Sequence, residues 1–264
     1  MFLKSCLGSF WAIVFCACLS VPATRVSAQS FALVELFTSQ GCSSCPSADN
    51  LLGRLIAEQS KLPNAPTLVA LSFHVDYWNR LGWRDPFSQA AFSDRQREYA
   101  TRIRGSSTYT PQAVVNGQWE TVGSNEATLR TDIQRAFRTT ATTSVAVTNA
   151  PKLQLAHLAD INTKQHTATL HYACQNTTAA AKSWQLHLAV VERKAVTHVG
   201  TGENGGAVLT NYNIVRTFTT LRPQMGSDNI IRLELPEGYS AGGYGVVGFL
   251  QDTTTNSVVA VSVL

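Results

Sequence analysis

Residues 31–58 read FALVELFTSQGCSSCPSADNLLGRLIAE, and this stretch determines the expected fold. The first seven residues are almost all apolar, which is typical of a buried strand. After Pro46 the apolar residues recur at helical spacing, namely Leu51, Leu52, Leu55 and Ile56. Cys42 and Cys45 lie between these two segments, so the sequence predicts a pair of thiols at the N-terminus of a helix.

That position has a chemical consequence for the cysteine pair. The helix dipole and the free backbone N–H groups at a helix N-terminus favour a thiolate over a thiol. A thiolate is the species that attacks a disulfide, so the pattern predicts redox chemistry at Cys42 and Cys45. A third cysteine, Cys174, lies in the strand-like run TATLHYACQ. It is either a small buried apolar residue or a resolving or intermolecular thiol.

The N-terminal residues resemble a secretory signal peptide. Lys4 supplies a positive charge, residues 7–19 form an apolar run, and Val26-Ser27-Ala28 matches a cleavage site. We therefore expect residues 1–28 to be removed and the mature chain to be periplasmic or secreted in a bacterium. The run is too short for a stable membrane span, and the residues before Cys18 match a lipidation site poorly.

Composition excludes one class of partner. The chain of 264 residues has a formal charge of +4, which falls to +2 when Lys4 and Arg25 leave with the signal peptide. No cluster of basic residues is present, so we expect no nucleic acid partner. A hydrophobic content of 44% is sufficient for an ordinary globular core.

Further strands and helices are predicted in the first half of the mature chain. The patterns predict a strand over 67–75, a helix over 88–103 that exposes Arg95, Arg97 and Glu98, and a helix over 124–138. Asn116-Gly117 predicts a tight hairpin between two short strands. A strand, a helix and a second strand at this spacing indicate a parallel pair, with its ligands at the carboxyl ends of the strands.

The composition changes after Arg138. Residues 139–143 (TTATT) are interpreted as a linker, and most of the sequence beyond them alternates in polarity as short strands do. The predicted strands are VAVT, TATLHYA, WQLHLAVVE, YNIVRTFTTL, IIRLELP, YGVVGFLQD and SVVAVSVL. We therefore expect an α/β domain over residues 29–141, followed by an all-β sandwich-like domain over residues 142–264.

The α/β domain also carries two motifs of a known fold. A Cys-x-x-Cys motif between strand and helix, followed by Thr110-Pro111 before a hairpin, resembles the thioredoxin fold, so we expect residues 29–141 to form an α/β thioredoxin-like domain. The resemblance implies that Pro111 is cis beside the cysteines and that Thr110 presents backbone to a substrate. It also implies that Cys42 is exposed and attacks, and that Cys45 resolves. Glu35 lies on a strand that should be covered on both faces, where a carboxylate is costly unless it is paired or protonated. It is similar in position to a buried acid that shuttles a proton for the resolving cysteine, although it is offset by one residue. The alternative is an edge position with a hydrated side chain.

Four longer motifs resemble an exported bacterial family catalogued as domain of unknown function 1223. They are ELFTSQGCSSCPSAD, FHVDYWNRLGWRDPFS, TPQAVVNG and GTGENGGAVLTNYNIVR. The family is thioredoxin-like in its first half and implies no firm activity. The Ser43-Ser44 dipeptide differs from the Gly-Pro of thioredoxin, and a long insertion precedes Pro111.

Several other residues are candidates for a substrate or partner site. His74 and Asp76 end the second strand. They either tune the pKa of the thiols, or bind a metal, or form hydrogen bonds that end the strand. Trp78 and Trp83 either form the floor of a groove or pack over the insertion. The motif GTGENGG over residues 200–206 is a turn rather than a phosphate loop, because no Lys-Ser or Lys-Thr comes after its glycines.

The predicted function is thiol–disulfide exchange on exported protein thiols, without a cofactor or a resident metal. A zinc site is disfavoured because no second Cys-x-x-Cys motif is present. Two alternatives remain for an exported binding protein without catalytic activity. Its cysteine pair is either a structural disulfide or a copper site completed by His74.

Overall fold

The structure is a computed structural model that describes residues 30–62, 65–146, 151–175 and 183–264. The predicted signal peptide lies outside these residues. In the first half, strands and helices alternate in the predicted order. They are β1 (Phe31–Thr38), α1 (Cys45–Ser60), β2 (Thr67–His74), a short 3-10 helix (Asn79–Leu81), α2 (Ala90–Arg102), β3 (Gln112–Val115), β4 (Trp119–Val122) and α3 (Glu126–Ala146).

The second half consists of strands. They are β5 (Lys152–Asn162), β6 (Thr167–Gln175), β7 (Trp184–His198), β8 (Val208–Leu221), β9 (Gly226–Glu234), β10 (Tyr244–Asp252) and β11 (Val258–Val263). Six of the predicted strands correspond to β6–β11, and β5 was missed. The predicted strand at residues 145–148 was wrong, because α3 continues to Ala146 and the residues after it lie outside those described. The predicted linker at residues 139–143 was also wrong, because these residues belong to α3.

The predicted fold class is overturned by the sheet topology. Eight strands form one mixed sheet in the order β11-β10-β7-β8-β2-β1-β3-β4, and β5, β6 and β9 form a second sheet. Strand β8 of the second half pairs in parallel with β2 of the first half, with Ser72 opposite Ile214. The protein is therefore mostly β, with a large sheet that both halves share, rather than an α/β domain followed by a separate sandwich.

The hydrophobic cores lie along the two faces of the large sheet. On one face, Leu33 and Phe37 of β1 join Phe92 of α2 and Phe249 of β10 in a single core. On the other face, apolar residues of β1 pack against α1 and α3. Farther along the chain, the small sheet packs against β7, β10 and β11 around residues such as Leu170. The first core contains residues of both halves, so the two halves are joined by a shared core as well as by the shared sheet.

Strand register brings the ends of β1 and β2 together. The two strands run parallel, as predicted, and Thr38 lies opposite His74 at their carboxyl ends. The cysteines come directly after β1, and the segment from Val75 comes directly after β2. Both segments therefore emerge at the same edge of the sheet, which is where ligands of parallel sheets gather.

The Asn116-Gly117 hairpin is confirmed, and its glycine supports our first prediction. Gly117 has a φ of +68°, and a Cβ at this position would lie 2.1 Å from the backbone oxygen of Asn256. A side chain would meet both backbone strain and a rigid backbone contact. We expect Gly117→Ala to lower the free energy of unfolding by about 2–3 kcal/mol or more, measured by urea denaturation.

Gly105 provides the matched control for this measurement. Its φ of +80° is also left-handed, but a Cβ there would meet nothing within 4 Å. Gly105→Ala should therefore lose only the cost of the backbone conformation, about 1–2 kcal/mol. Equal losses in the two variants would contradict the role that we give to the contact with Asn256.

Candidate functional site

The cysteine pair closes a single turn between β1 and α1. Cys42 and Cys45 form a disulfide with their Cα atoms 5.4 Å apart, and Cys45 is the first residue of α1. The predicted location at a helix N-terminus is therefore confirmed. Both cysteines are 0% exposed, whereas the resemblance implied an exposed attacking cysteine. An external thiol must consequently displace part of the protein before it reaches Cys42.

Thr110 and Pro111 lie beside the pair, and the predicted cis peptide bond between them is confirmed. The hydroxyl of Thr110 donates to Cys42 Sγ at 3.4 Å, and Trp78 Nε1 donates to Thr110 Oγ1 at 2.7 Å. Trp78 also packs against the cysteine loop, since a Cβ on Gly41 would lie 3.2 Å from Trp78 Cβ. The indole thus fixes the hydroxyl group that contacts the sulfur atom.

The turn over residues 200–206 covers the cysteine loop. Glu203 Oε2 accepts a hydrogen bond from the Ser43 N–H at 2.9 Å. Asn204 Nδ2 donates to the carbonyl oxygens of both Gln40 and Cys42, each at 2.9 Å. Hydrogen bonds from Ser43 lower the pKa of Glu203, so its carboxylate stays charged in this contact. The predicted turn is confirmed, but its contact with the cysteines was missed, because no local pattern links segments so far apart.

Glu35 lies on the opposite face of the sheet from α1. Its carboxylate accepts hydrogen bonds from Arg95 Nε at 2.5 Å and Arg95 Nη2 at 2.9 Å, and from the hydroxyl of Tyr99. Both partners belong to α2. The assigned role of Glu35 as proton shuttle stays a prediction, but the sheet separates its carboxylate from the helix that carries Cys45. The predicted exposure of Arg95 was wrong, because this residue is only 7% exposed.

His74 pairs with Asp85 and not with Asp76. Its Nδ1 lies 2.7 Å from Asp85 Oδ2, which also accepts the N–H of Gln40 at 2.8 Å. Burial alone would lower the pKa of His74, but the charge and hydrogen bond of Asp85 raise it above its usual value. Burial would raise the pKa of Asp85, but the charge of His74 and several hydrogen bonds hold it below its usual range. Asp76 instead accepts a hydrogen bond from Ser93 Oγ on α2 at 2.5 Å.

Asp49 is a buried carboxyl of this region whose environment the sequence analysis missed. It lies four residues after Cys45 on α1 and is buried. Burial raises its pKa to about 7, against the opposing charge of His74. The sequence signal was an aspartate one helical turn after a cysteine, on the face of α1 that carries the apolar residues.

The structure does not group the ligands of the copper alternative. Within the described residues, no three His, Cys, Asp or Glu side chains lie close enough together to hold a metal ion. His74 is paired with Asp85 through its Nδ1 atom.

Cys174 is buried with its sulfur 3.8 Å from Met225 Sδ, in the core beneath the small sheet. Across the described part of the chain, the helices are too short or too polar to cross a bilayer.

Comparison with known proteins gives a family and a similar fold. A family model described as "Protein of unknown function (DUF1223)" matches residues 33–251. The crystal structure of a protein from Agrobacterium tumefaciens covers 88% of this chain and 93% of its own length, with 25% identity and a TM-score of 0.60.

A weaker similarity involves a domain of the outer membrane lipoprotein Omp28 from Porphyromonas gingivalis. It covers 45% of this chain and 88% of that domain at 13% identity, and its TM-score of 0.25 is too low to indicate a common fold. No curated protein matches the chain.

Proposed function

The chain belongs to the DUF1223 family of proteins of unknown function, and from this premise we propose that it is an exported thiol–disulfide exchange protein. It acts on protein thiols through Cys42 and Cys45. The observation that supports this function is the contact of Thr110 Oγ1 with Cys42 Sγ at the start of a helix. A disulfide that serves only to brace the loop needs no polar hydrogen-bond donor aimed at one of its sulfur atoms.

The roles of the two cysteines are inferred from their positions. Cys42 precedes α1 and is the sulfur that Thr110 contacts, so it receives the attack of the partner thiolate. Cys45 begins the helix, and its sulfur leaves as the S–S bond breaks. In the opposite direction Cys45 attacks the mixed disulfide and releases the partner.

A second candidate function is favoured by burial. Both cysteines are 0% exposed and the 200–206 turn is hydrogen-bonded over them, as expected for a structural disulfide in an exported binding protein. The two candidates differ in whether a partner protein reaches Cys42.

Trapping of a mixed disulfide distinguishes these candidates. We expect Cys45→Ser to accumulate covalent adducts with exported proteins, because nothing remains to resolve the disulfide on Cys42. The measurement is non-reducing electrophoresis of affinity-purified protein from cells. Cys42→Ser is the matched control and should trap nothing. If Cys45→Ser yields no adduct that is lost on reduction, the exchange function is wrong.

Export is part of the same proposal and has its own test. The N-terminal residues 1–28 carry the features of a signal peptide. N-terminal sequencing of protein from the periplasmic fraction should begin at Gln29. A mature N-terminus at Cys18 would indicate a lipoprotein instead.

A further inference from the structure

A buried polar cluster lies behind the disulfide at the carboxyl ends of β1 and β2. Asp49 Oδ2 accepts a hydrogen bond from Thr38 Oγ1 at 3.1 Å. Its other oxygen, Oδ1, has no hydrogen-bond partner within the described residues, although it is buried. Asp49 and Cys45 are one turn apart on the inward face of α1, a spacing that puts their Cβ atoms about 5–6 Å apart. Asp49 is thus the ionisable residue nearest to Cys45 in sequence on the inward face of α1, and its Oδ1 atom is the oxygen without a partner.

The cluster is connected to the cysteine loop. Asp85 accepts hydrogen bonds from His74 and from the backbone N–H of Gln40, which precedes Cys42 by two residues. The side chain of Gln40 donates to Asn211 Oδ1 at 2.9 Å. Nε2 of His74 and Nδ2 of Asn211 are buried and, among the described residues, have no hydrogen-bond partner. Hydrogen-bonding capacity that is left unused in a buried site is costly, which favours a functional use.

We propose that Asp49 exchanges a proton with the thiol of Cys45 during thiol–disulfide exchange, and that the His74–Asp85 pair positions it. This inference rests on the proposed function and identifies the group that accepts and returns the proton. It gives a use to a buried carboxyl that would otherwise only destabilise the fold.

The chemistry balances in both directions. When a partner dithiol reduces the pair, its thiolate attacks Cys42 Sγ, the Cys42–Cys45 bond breaks, and Cys45 leaves as a thiolate that takes the proton of Asp49. The second partner thiol then releases Cys42 as the partner is oxidised to a disulfide. In the reverse reaction, the Asp49 carboxylate removes the Cys45 proton, and the thiolate attacks the mixed disulfide on Cys42 to expel the partner thiolate.

The surrounding charges fix the direction of the pH dependence. Burial raises the pKa of Asp49 to about 7, the positive charge of His74 lowers it, and the charge of Asp85 raises it. Thr38 and Asn211 are the neutral groups that face the carboxyl, and Arg216 acts on His74. Asn211 lowers the Asp49 pKa as a hydrogen-bonding amide that faces the carboxyl, although its Nδ2 has no partner at full hydrogen-bond geometry. Resolution by Cys45 should therefore accelerate as the pH rises through about 7.

The test uses reduced full-length mature protein and 5,5′-dithiobis(2-nitrobenzoate), which releases one coloured thiolate when Cys42 attacks and a second when Cys45 resolves. Asp49→Asn should slow the second release about tenfold or more above neutral pH, abolish its rise near neutrality, and leave the first release unchanged. Asp132→Asn is the matched control, because Asp132 is also buried, on α3, with a raised pKa. An unchanged second release in Asp49→Asn would overturn the proposal.

Two further measurements separate proton exchange from a structural effect. His74→Gln removes the charge that lowers the Asp49 pKa, so the midpoint of the second release should move to higher pH. The ¹³C resonance of the Asp49 carboxyl in wild-type protein should titrate near neutral pH when the cysteines are oxidised and at a different pH when they are reduced. An identical titration in both redox states would contradict coupling to Cys45. If Cys45→Ser traps no partner in cells but the second release depends on Asp49 as expected, the exchange function is wrong. The proton exchange between Asp49 and Cys45 is then still supported.

Discussion

Replacing Arg95 with methionine is expected to lower the free energy of unfolding by about 3–5 kcal/mol. The guanidinium is ion-paired with Glu35 and donates to the hydroxyl of Tyr99 at 2.8 Å and to Gln251 Oε1 at 3.3 Å. It also lies over the rings of Phe73, Tyr99, Phe218 and Phe249. Without Arg95 the carboxylate of Glu35 remains buried with no opposing charge.

Urea denaturation of two further variants shows whether the loss has this cause. Arg97→Met is the matched control, because Arg97 is on the same helix but its ion pair with Asp94 is exposed. It should change stability by less than about 0.5 kcal/mol. Glu35→Gln added to Arg95→Met should recover part of the loss, since the stranded charge is removed. A loss below about 1 kcal/mol in Arg95→Met would contradict our assignment of the pair.

Replacing Asn204 with alanine is expected to accelerate reduction of the disulfide by roughly 10–30-fold. The side chain donates hydrogen bonds to the carbonyl oxygens of Gln40 and Cys42. Two such bonds contribute about 1 kcal/mol each, and about 1.4 kcal/mol corresponds to a factor of ten. Because Cys42 is fully buried, reduction requires displacement of the 200–206 turn, so weakening its attachment raises the population of the open form.

The measurement is the rate of reduction by dilute dithiothreitol, followed by thiol alkylation and mass spectrometry. Asn229→Ala is a matched control, since Asn229 Nδ2 also donates to two carbonyl oxygens, those of Gln224 and Gly226, in the small sheet. Its rate of reduction should equal that of the wild type. If Asn204→Ala is also reduced at the wild-type rate, the turn does not limit access to Cys42.

Local patterns predicted much of the first half and most of the strands. The helix that begins at Cys45, the Asn116-Gly117 hairpin and the Thr110-Pro111 position each depend on residues a few positions apart, and each is present in the structure. The pairing of β8 with β2 was not predictable in this way, because strand periodicity carries no information about the distant partner of a strand. That one pairing changes the architecture from two domains to a shared sheet.

The surroundings of Glu35 were unpredictable for a related reason. A carboxylate on a buried strand needs a special environment, and the structure supplies that environment through Arg95. The spacing of apolar residues in α2 placed Arg95 on the polar side of the helix. Helical periodicity therefore could not predict the ion pair between Arg95 and Glu35. Asp49 had the simpler signal, a spacing of one turn from Cys45, but near a helix start an aspartate is ordinarily interpreted as a helix-start residue.

The 200–206 turn connects β7 to β8. The segment that covers the disulfide is therefore adjacent to β8, the strand that pairs with β2 and joins the two halves of the chain. Ser43 and Glu203 are separated by 160 positions in the sequence. During synthesis, the cysteines emerge long before the segment that shields them. An incomplete chain therefore presents an accessible thiol pair to the oxidants and reductants around it. Once β7 and β8 have folded, the 200–206 turn covers Cys42 and Cys45. The completion of folding therefore determines when small-molecule oxidants and reductants can no longer reach the two cysteines.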